Sequence, residues 1–417
     1  MGLMLLSSLI DFFAGKYIHK TADGKKRKIV FILSLCANLG LLGFFKYFNF
    51  GLDTIIAVAN IFNLSPDLPV LNIILPVGIS FYTFQTMSYT IDIYRKKLAP
   101  TNNFFEFACY VSLFPQLVAG PIVRYSDVVN DLDNIDKISK ATNFHRGLSI
   151  FVIGLGKKII IADTIARIIN PMFADVGALS PLYAWIAILG YTYQLYFDFS
   201  GYSDMAVGLG HLFGFHFPQN FNSPYKAVNI SDFWRRWHIS LSSWLKDYLY
   251  ISLGGGRKGN LRTYFNLIIT MLLGGLWHGA SWTFVFWGFY HGALLVLYKM
   301  THRFQDSLPR VIQKTGTFLL VTIGWVFFRN ATFSDSWTMI KKMFYLDKLG
   351  SYNLENAALW EIAILLGISF FITSFLPNTF EIKYSTKLKY AILLALVFTV
   401  CLVLMNYGQT SFLYYQF

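Results

Sequence analysis

The sequence has few charged residues for its length. Asp, Glu, Lys and Arg make up 14% of its 417 residues, whereas a water-soluble domain carries about a quarter. Hydrophobic residues make up 55% of the chain and aromatic residues 18%. This composition excludes an ordinary soluble enzyme and predicts a protein whose solvent is largely a lipid bilayer.

Several common sequence motifs are also missing. The three cysteines, Cys36, Cys109 and Cys401, lie far apart without a CxxC pair, so we expect neither a disulfide nor a zinc site. No GxSxG, HExxH or GxxxxGK[ST] occurs, which argues against a serine-nucleophile elbow, a metal site and a P-loop. The chain shows no linker and no internal repeat, so residues 1–417 are predicted to form a single membrane domain.

The chain contains many long runs of apolar residues. A membrane-spanning helix needs about 20 such residues, and the predicted spans are 29–48, 70–93, 104–122, 147–170, 181–199, 264–298 (one long or two broken helices), 316–329, 357–376 and 389–406. The first run, Met1–Ala14, is shorter than a span and lacks the features of a signal peptide. We expect it to be the end of a longer helix. The pattern predicts an all-α, polytopic membrane protein.

The positive charges lie in short gaps between the apolar runs. Net charge is +13, and residues 16–28 alone hold six Lys or Arg against one Asp. Further basic gaps are 95–97, 256–262 and 383–389. Short basic loops are typical of the cytoplasmic side of a membrane, and anionic lipid headgroups are a sufficient partner for them. The charge therefore predicts membrane lipid as a partner and no nucleic acid.

Helix-breaking residues and ionisable groups interrupt several apolar runs. The bilayer tolerates them only where protein or a watery cavity covers them, and the positions concerned are Pro76, Gly78, Pro115, Gly120, Pro121, Asp198, Asp204 and His211. Together they predict an internal cavity. Asp198 is our candidate substrate-binding carboxylate within it.

Residues 229–260 have a different pattern, that of an amphipathic helix. Asn229 or Ser231 is a plausible N-cap, and Gly254–Gly256 end the segment. One stripe holds Phe233, Trp237, Leu241, Trp244 and Tyr248, and the opposite side holds Arg235, Arg236, Ser242, Ser243, Lys246 and Asp247. Such a helix lies in the interface or lines a wet cavity. His238 falls where the two faces meet.

His278 stands out among the eight histidines. It lies in "GGLWHGASW" (274–282), where Gly275 and Gly279 form a small-xxx-small pair, as Gly288 and Gly292 do. Close helix packing accounts for the glycines but not for a polar ring inside an apolar segment. A neutral imidazole can take a proton from a hydroxyl at neutral pH. His278 is therefore a candidate general base, whereas the surroundings of the remaining histidines favour surface or structural roles: His19, His145, His302, His211, His216 and His291.

Five segments together resemble the membrane-bound O-acyltransferase family, and most closely its bacterial alginate O-acetyltransferase branch. They are "LPVGISFYTFQTMSYTIDIYR" (75–95), "FPQLVAGPIVRYSD" (114–127), "YFDFSGYSDMAVGLGHLFGF" (196–215), "NFNSPYKAVNISDFWRRWHISLSSWLKDYLYISLGGGRKG" (220–259) and "GGLWHGASWTFVFWGFYHG" (274–292). The closing "FLYYQF" (412–417) also fits. Members of this branch begin with more hydrophobic sequence, so we expect this chain to lack an N-terminal helix.

The resemblance implies a fold and an activity. The fold is a ring of tilted transmembrane helices, with re-entrant and interfacial helices, around a central funnel. The family's essential histidine corresponds to His278 and its second motif position to His238. The activity is O-acetylation of a cell-surface or exported, alginate-like polysaccharide from a cytoplasmic thioester, acetyl-CoA or an acyl carrier protein, with no tightly bound cofactor.

The same resemblance implies a setting in the bacterial cytoplasmic membrane and an extracytoplasmic partner of the SGNH acetyltransferase type. Substrate contacts are expected from the tryptophans and arginines beside the two histidines: Trp234, Arg235, Arg236, Trp237 and Trp277. Two alternatives stay open at this stage. The broken helices and buried carboxylates also suit a transporter or flippase for a glycan or small anion. In a third arrangement, the acyl group passes through the funnel to a partner that performs the final transfer.

Overall fold

The computed structural model describes residues 2–64, 71–134, 140–345, 350–407 and Leu413. Over these ranges the chain is helical and contains no strand, so the all-α prediction is confirmed. Apart from Leu413, the closing FLYYQF motif lies outside the described residues. Backbone contacts divide the chain into two compact units, Met1–Ile138 with Gly214–Phe217, and Ser139–Phe213 with Pro218–Phe417. Whether residues 1–417 behave as a single membrane domain stays a prediction.

The described residues of the first unit form seven α-helices: α1 (Gly2–Lys20), α2 (Gly24–Leu42), α3 (Phe48–Ile61), α4 (Ile79–Tyr94), α5 (Phe104–Ser112), α6 (Phe114–Leu117) and α7 (Tyr125–Asp133). A π-helical turn, Gly43–Tyr47, joins α2 to α3 without a break. Asp11 is fully buried where α1, α2 and α4 pack together. It accepts hydrogen bonds from Asn38 Nδ2 at 2.8 Å and Thr90 Oγ1 at 3.0 Å, which offset the cost of burying a carboxyl group.

Helix-breaking residues shorten two predicted spans of this unit. The span predicted over 70–93 becomes helical only at Ile79, because Gly78 has a left-handed backbone with φ of 77°. The span predicted over 104–122 is interrupted at Leu113, two residues before Pro115 of α6. Proline cannot donate a backbone hydrogen bond within a helix, so this run was wrongly predicted as one helix.

The second unit contains the remaining named helices: α8 (Lys140–Gly156), α9 (Thr164–Ile169), α10 (Pro181–Phe213), α11 (Ile230–Arg236), α12 (Ile239–Trp244), α13 (Gly259–His278), α14 (Trp282–Ser307), α15 (Arg310–Arg329), α16 (Phe333–Met343), α17 (Asn356–Phe375) and α18 (Leu388–Leu404). A Cβ on Gly201 of α10 would lie 2.7 Å from the Gly154 carbonyl oxygen of α8. Glycine at this position therefore allows α8 and α10 to pack backbone to backbone.

The amphipathic segment is broken where a single helix was predicted. α11 ends at Arg236, and His238 has a left-handed backbone before α12 begins. The predicted N-cap is confirmed, because Asn229 Oδ1 accepts from the Asp232 N–H at 2.8 Å. The apolar stripe is also confirmed, since its five aromatic and leucine side chains are all buried. Side-chain periodicity correctly predicted the buried face of the segment. It gave no information on the left-handed backbone of His238, which ends the helix.

Among the described residues, three helical stretches have the length and apolar composition to cross a membrane: Gly24–Ile61, Arg310–Arg329 and Asn356–Phe375. Large apolar side chains on α17 are exposed, among them Ile364 at 59% and Phe371 at 54%. Such a surface is unfavourable in water and suits lipid tails. The chain is therefore a membrane protein, while the central funnel stays a prediction.

Candidate active site

His278 is the last residue of α13, at the crossing of α13 and α14. A Cβ on Gly275 would overlap the Phe284 carbonyl oxygen and lie 3.0 Å from the Gly288 Cα. The predicted close packing at Gly275 and Gly288 is thus present. The crossing leaves the His278 side chain 4% exposed.

His238 occupies the break between α11 and α12. Its φ of 43° is in the left-handed region, where a residue with a Cβ is strained by about 1–2 kcal/mol. Hydrogen bonds on both sides hold the backbone there, from the Ile239 N–H to the Asn220 carbonyl and from the Ser242 N–H to the His238 carbonyl, each at 2.9 Å. The imidazole at this position is fully buried.

Asn220 fixes the tautomer of His238. Its Oδ1 lies 3.0 Å from His238 Nδ1 and accepts from the Ser240 Oγ at 2.9 Å and the Ser240 backbone N–H at 3.3 Å. Because a backbone N–H can only donate, the amide atom facing it is the oxygen. His238 Nδ1 must therefore carry a proton, which leaves the lone pair on Nε2. Complete burial lowers the pKa of His238, which lies outside the predicted spans, to about 3.

The two histidines lie close to each other in this unit. Their ring centroids are 6.4 Å apart. Trp277 borders both rings, at 6.2 Å from His238 and 5.1 Å from His278. Trp287 packs edge-on against His278 at 5.3 Å. Two residues forty positions apart in the sequence therefore share one buried aromatic environment.

A cavity of about 380 Å³ lies beside the elements that carry these histidines. Trp234 and Arg235 of α11 line it, together with Lys246 and apolar side chains of α13 and α14 such as Met271. The Arg235 side chain is 70% exposed, so the cavity has apolar walls and cationic groups next to them. This composition suits an acyl chain attached to an anionic carrier.

The other predicted binding residues are engaged within the protein. Arg236 Nε bonds to Asp232 Oδ2 at 3.0 Å, and its Nη1 donates to the Asn222 carbonyl at 3.3 Å. Trp237 is buried, with its ring 4.9 Å from that of Trp325. Asp198 on α10 is ion-paired to Lys158 Nζ at 2.7 Å. Substrate binding by Arg236, Trp237 and Asp198 stays a prediction.

Asn220 and His291 are two residues that sequence reasoning did not select. Nothing in the sequence marks Asn220 as a functional residue, because asparagine is common in loops. His291 was expected to be a structural histidine with hydrogen-bond partners. It is fully buried between Trp234 at 5.2 Å and Trp287 at 4.8 Å. Within the described part of the chain, neither of its ring nitrogens has a hydrogen-bond partner.

The fold and this site define a class: an all-α membrane protein with a buried histidine pair beside an apolar cavity. A model of the membrane-bound O-acyltransferase family matches residues 71–334. The chain belongs to this family. The resemblance found in the sequence is thereby confirmed, including its alginate O-acetyltransferase branch.

Individual relatives agree with this assignment. The probable alginate O-acetylase AlgI of Azotobacter vinelandii is 46% identical over 335 residues, which cover 80% of this chain and 66% of that protein. The peptidoglycan O-acetyltransferase of Helicobacter pylori is 40% identical over 387 residues, covering 85% and 72%. The teichoic acid D-alanyltransferase of Bacillus subtilis is 29% identical over 283 residues, covering 64% and 71%. The chain spans about two thirds of the length of the curated relatives it matches.

Proposed function

We propose that the protein is an O-acyltransferase of the bacterial cytoplasmic membrane that O-acetylates an exported or cell-surface polysaccharide. The observation that carries this proposal is the buried pair of His238 and His278, with ring centroids 6.4 Å apart. Asn220 holds one ring of the pair through Nδ1. This contact places the proton on Nδ1 and leaves Nε2 as the acceptor atom of the ring.

In the proposed reaction, His278 is the general base. It takes the proton from an acceptor hydroxyl as the oxygen attacks the thioester carbonyl. When the carbon–sulfur bond breaks, the thiolate takes that proton back from the imidazolium, so the histidine is regenerated. His238 stays neutral and offers Nε2 to orient the acceptor hydroxyl. The indole of Trp277 borders both rings and helps to exclude water.

The donor is proposed to bind in the cavity lined by Trp234 and Arg235. Acetyl-CoA and an acyl carrier protein both present an anionic carrier that Arg235 and Lys246 can attract. No tightly bound cofactor is needed for this chemistry. The acceptor is proposed from the names of the relatives, which act on alginate and peptidoglycan, and alginate-like polysaccharide is the first choice. An extracytoplasmic SGNH-type acetyltransferase is the proposed partner.

The transporter alternative receives less support from the geometry. This alternative was based on buried carboxylates in broken helices. In a transporter, such carboxylates bind the cargo or its coupling ion. Asp198 lies 2.7 Å from Lys158 Nζ, and Asp204 lies 2.6 Å from Lys157 Nζ. Carboxylates paired in this way within the protein serve to hold α8 and the following turn to α10.

The test is His278→Ala, expressed in a host that lacks its own copy of the enzyme. The assay measures acetate released by base from purified extracellular polysaccharide and, separately, from peptidoglycan. We expect O-acetylation to fall by about 10²–10⁴-fold, the usual contribution of a general base. His302→Ala is the matched control, because His302 is exposed on α14. Unchanged O-acetylation by a folded His278→Ala protein would refute the proposed role.

A further inference from the structure

The first unit contains a cavity of about 640 Å³ that the proposed reaction does not use. One wall is formed by the end of α1 and the loop that leads to α2. The other wall is formed by the end of α4 and the loop that follows it, including Leu98 and Ala99. In the sequence these are two separate basic gaps, 16–28 and 95–97. The structure brings them together around one cavity.

Five basic side chains line this cavity: His19, Lys20, Arg27, Lys96 and Lys97. We call this set the basic cleft. Within the described ranges, no Asp or Glu is among the residues that line it. Asp23, in the adjoining loop, caps α2 instead, where its Oδ1 accepts from the backbone N–H of Lys25 at 2.8 Å. Like charges so arranged repel one another, and a bound anion relieves that repulsion.

Arg27 is held in place before any ligand arrives. Its Nε donates to the Ile18 carbonyl at 3.0 Å and its Nη2 to the Tyr94 carbonyl at 3.1 Å. Its guanidinium also lies over the Tyr94 ring, at 5.5 Å from the centroid. These two bonds use only two of the five N–H groups of arginine. The part-buried guanidinium therefore gives the cleft a rigid donor at the point where α1 and α4 end.

The lysines of the second wall are fixed by a tight turn. Lys96 has a φ of 60°, and its backbone N–H donates to the Ile93 carbonyl at 3.0 Å. The Lys97 N–H donates to the Asp92 carbonyl at 2.9 Å. Asp92 thus takes part in closing the turn through its backbone. A positive φ at the residue that follows a helix is a common way to end it, and these backbone bonds fix the positions from which Lys96 and Lys97 line the cavity.

We propose that the basic cleft binds the phosphate group of an anionic ligand, which the membrane supplies as a phospholipid headgroup. Arginine pairs with phosphate through its planar fork, and lysines add point charges around it. The volume exceeds that of phosphate alone and accommodates a headgroup with its glycerol. The loops concerned are those whose basic character predicts the cytoplasmic side, where anionic lipids attract Lys and Arg.

The experiment uses the full-length protein, purified in a neutral detergent. Native mass spectrometry and thermal melting record titrations with short-chain phosphatidylglycerol, with short-chain phosphatidylcholine and with inorganic phosphate. The test variant is Lys20→Gln/Lys96→Gln/Lys97→Gln. The matched control carries three changes of the same kind at exposed lysines elsewhere: Lys383→Gln, Lys387→Gln and Lys389→Gln.

We expect saturable binding of phosphatidylglycerol that the test variant weakens by roughly tenfold or more and the control keeps. Saturation by inorganic phosphate at equal concentration supports the phosphate site but assigns it to a soluble phosphate compound. The proposal is overturned if no anion saturates, if phosphatidylcholine binds equally well, or if test and control variants behave alike. The test variant can have a lower melting temperature than the unchanged protein in the absence of ligand. In that case, Lys20→Arg/Lys96→Arg/Lys97→Arg must restore both the melting temperature and the binding. Acetyl transfer through His278 is measured in a separate assay. The proposed phospholipid site and the proposed catalytic role can therefore each be refuted without the other.

Discussion

Asn220→Leu tests whether the structure has identified the residue that holds His238. Leucine has nearly the same branched shape as asparagine, so the change removes hydrogen-bonding groups without opening a large cavity. The Oδ1 of Asn220 accepts from His238 Nδ1, Ser240 Oγ and the Ser240 N–H at 2.9–3.3 Å. Its Nδ2 donates to Ser203 Oγ at 3.1 Å.

The magnitude follows from these contacts. The change removes four hydrogen bonds, three to Oδ1 and one from Nδ2, and a hydrogen bond contributes about 1 kcal/mol net to stability. A loss of about 4 kcal/mol in the free energy of unfolding is therefore expected. The effect on the reaction has a different origin, because the His238 ring can then rotate and exchange tautomers. Misplacing a positioned group by about 1 Å typically costs on the order of 10²-fold in rate.

The assay compares O-acetyl content and thermal stability for two variants of the same loop. Asn222→Leu is the control, because Asn222 is two residues along the chain and bonds to Asn378 Nδ2 at 3.0 Å rather than to a histidine. It should lose stability with little change in the rate per folded molecule. Asn220→Asp keeps an acceptor for all three donors, and should retain more activity than Asn220→Leu.

The reasoning is refuted by either of two results. In the first, folded Asn220→Leu protein acetylates its polysaccharide at the rate of the unchanged enzyme. In the second, Asn222→Leu lowers the rate per folded molecule as much as Asn220→Leu does. Both results would mean that the tautomer and orientation of His238 do not matter to acyl transfer.

Three other perturbations follow from the same structure. Gly275→Ala should lower the melting temperature through about 1–3 kcal/mol of overpacking where α13 meets α14. Gly316→Ala should not, because no atom of the described residues lies within 4 Å of the added Cβ. Equal melting temperatures of the two variants would contradict the packing account. Lys157→Met should cost about 3–5 kcal/mol because it leaves Asp204 buried and uncompensated, and an additional Asp204→Leu change should recover part of the loss in a melting assay. Arg235→Gln should raise the KM for acetyl-CoA by roughly three- to tenfold at low salt without changing kcat, and a kcat effect instead would remove Arg235 from the donor site.

Hydrophobic runs and short motifs were sufficient to predict much of this protein. Membrane character and all-α structure follow from local composition, because a bilayer demands long apolar helices that satisfy their own backbone. The family was identified from the resemblance of five sequence segments. His278 could be selected for the same reason, since a polar ring in an apolar run needs an explanation. The N-cap at Asn229 and the buried stripe of 229–260 also follow from local rules.

The break at His238 could not be predicted in this way. Its left-handed backbone is stabilised by Asn220, eighteen residues earlier in the chain, and local propensity favours a continuous helix there. The interruptions near Gly78 and Pro115 could not be placed for the same reason. The sequence shows these helix-breaking residues, but it does not show at which residue each helix begins or ends.

The sequence by itself determined which residue types this chain offers to a bilayer and to a reaction: long apolar helices, basic loops and two histidines in apolar surroundings. Only the tertiary structure decided which of them meet. It placed His238 and His278 with ring centroids 6.4 Å apart, and it joined two basic loops around one cleft. The physical reason is that contacts between distant segments depend on helix crossings and single backbone angles, which burial and long-range hydrogen bonds determine.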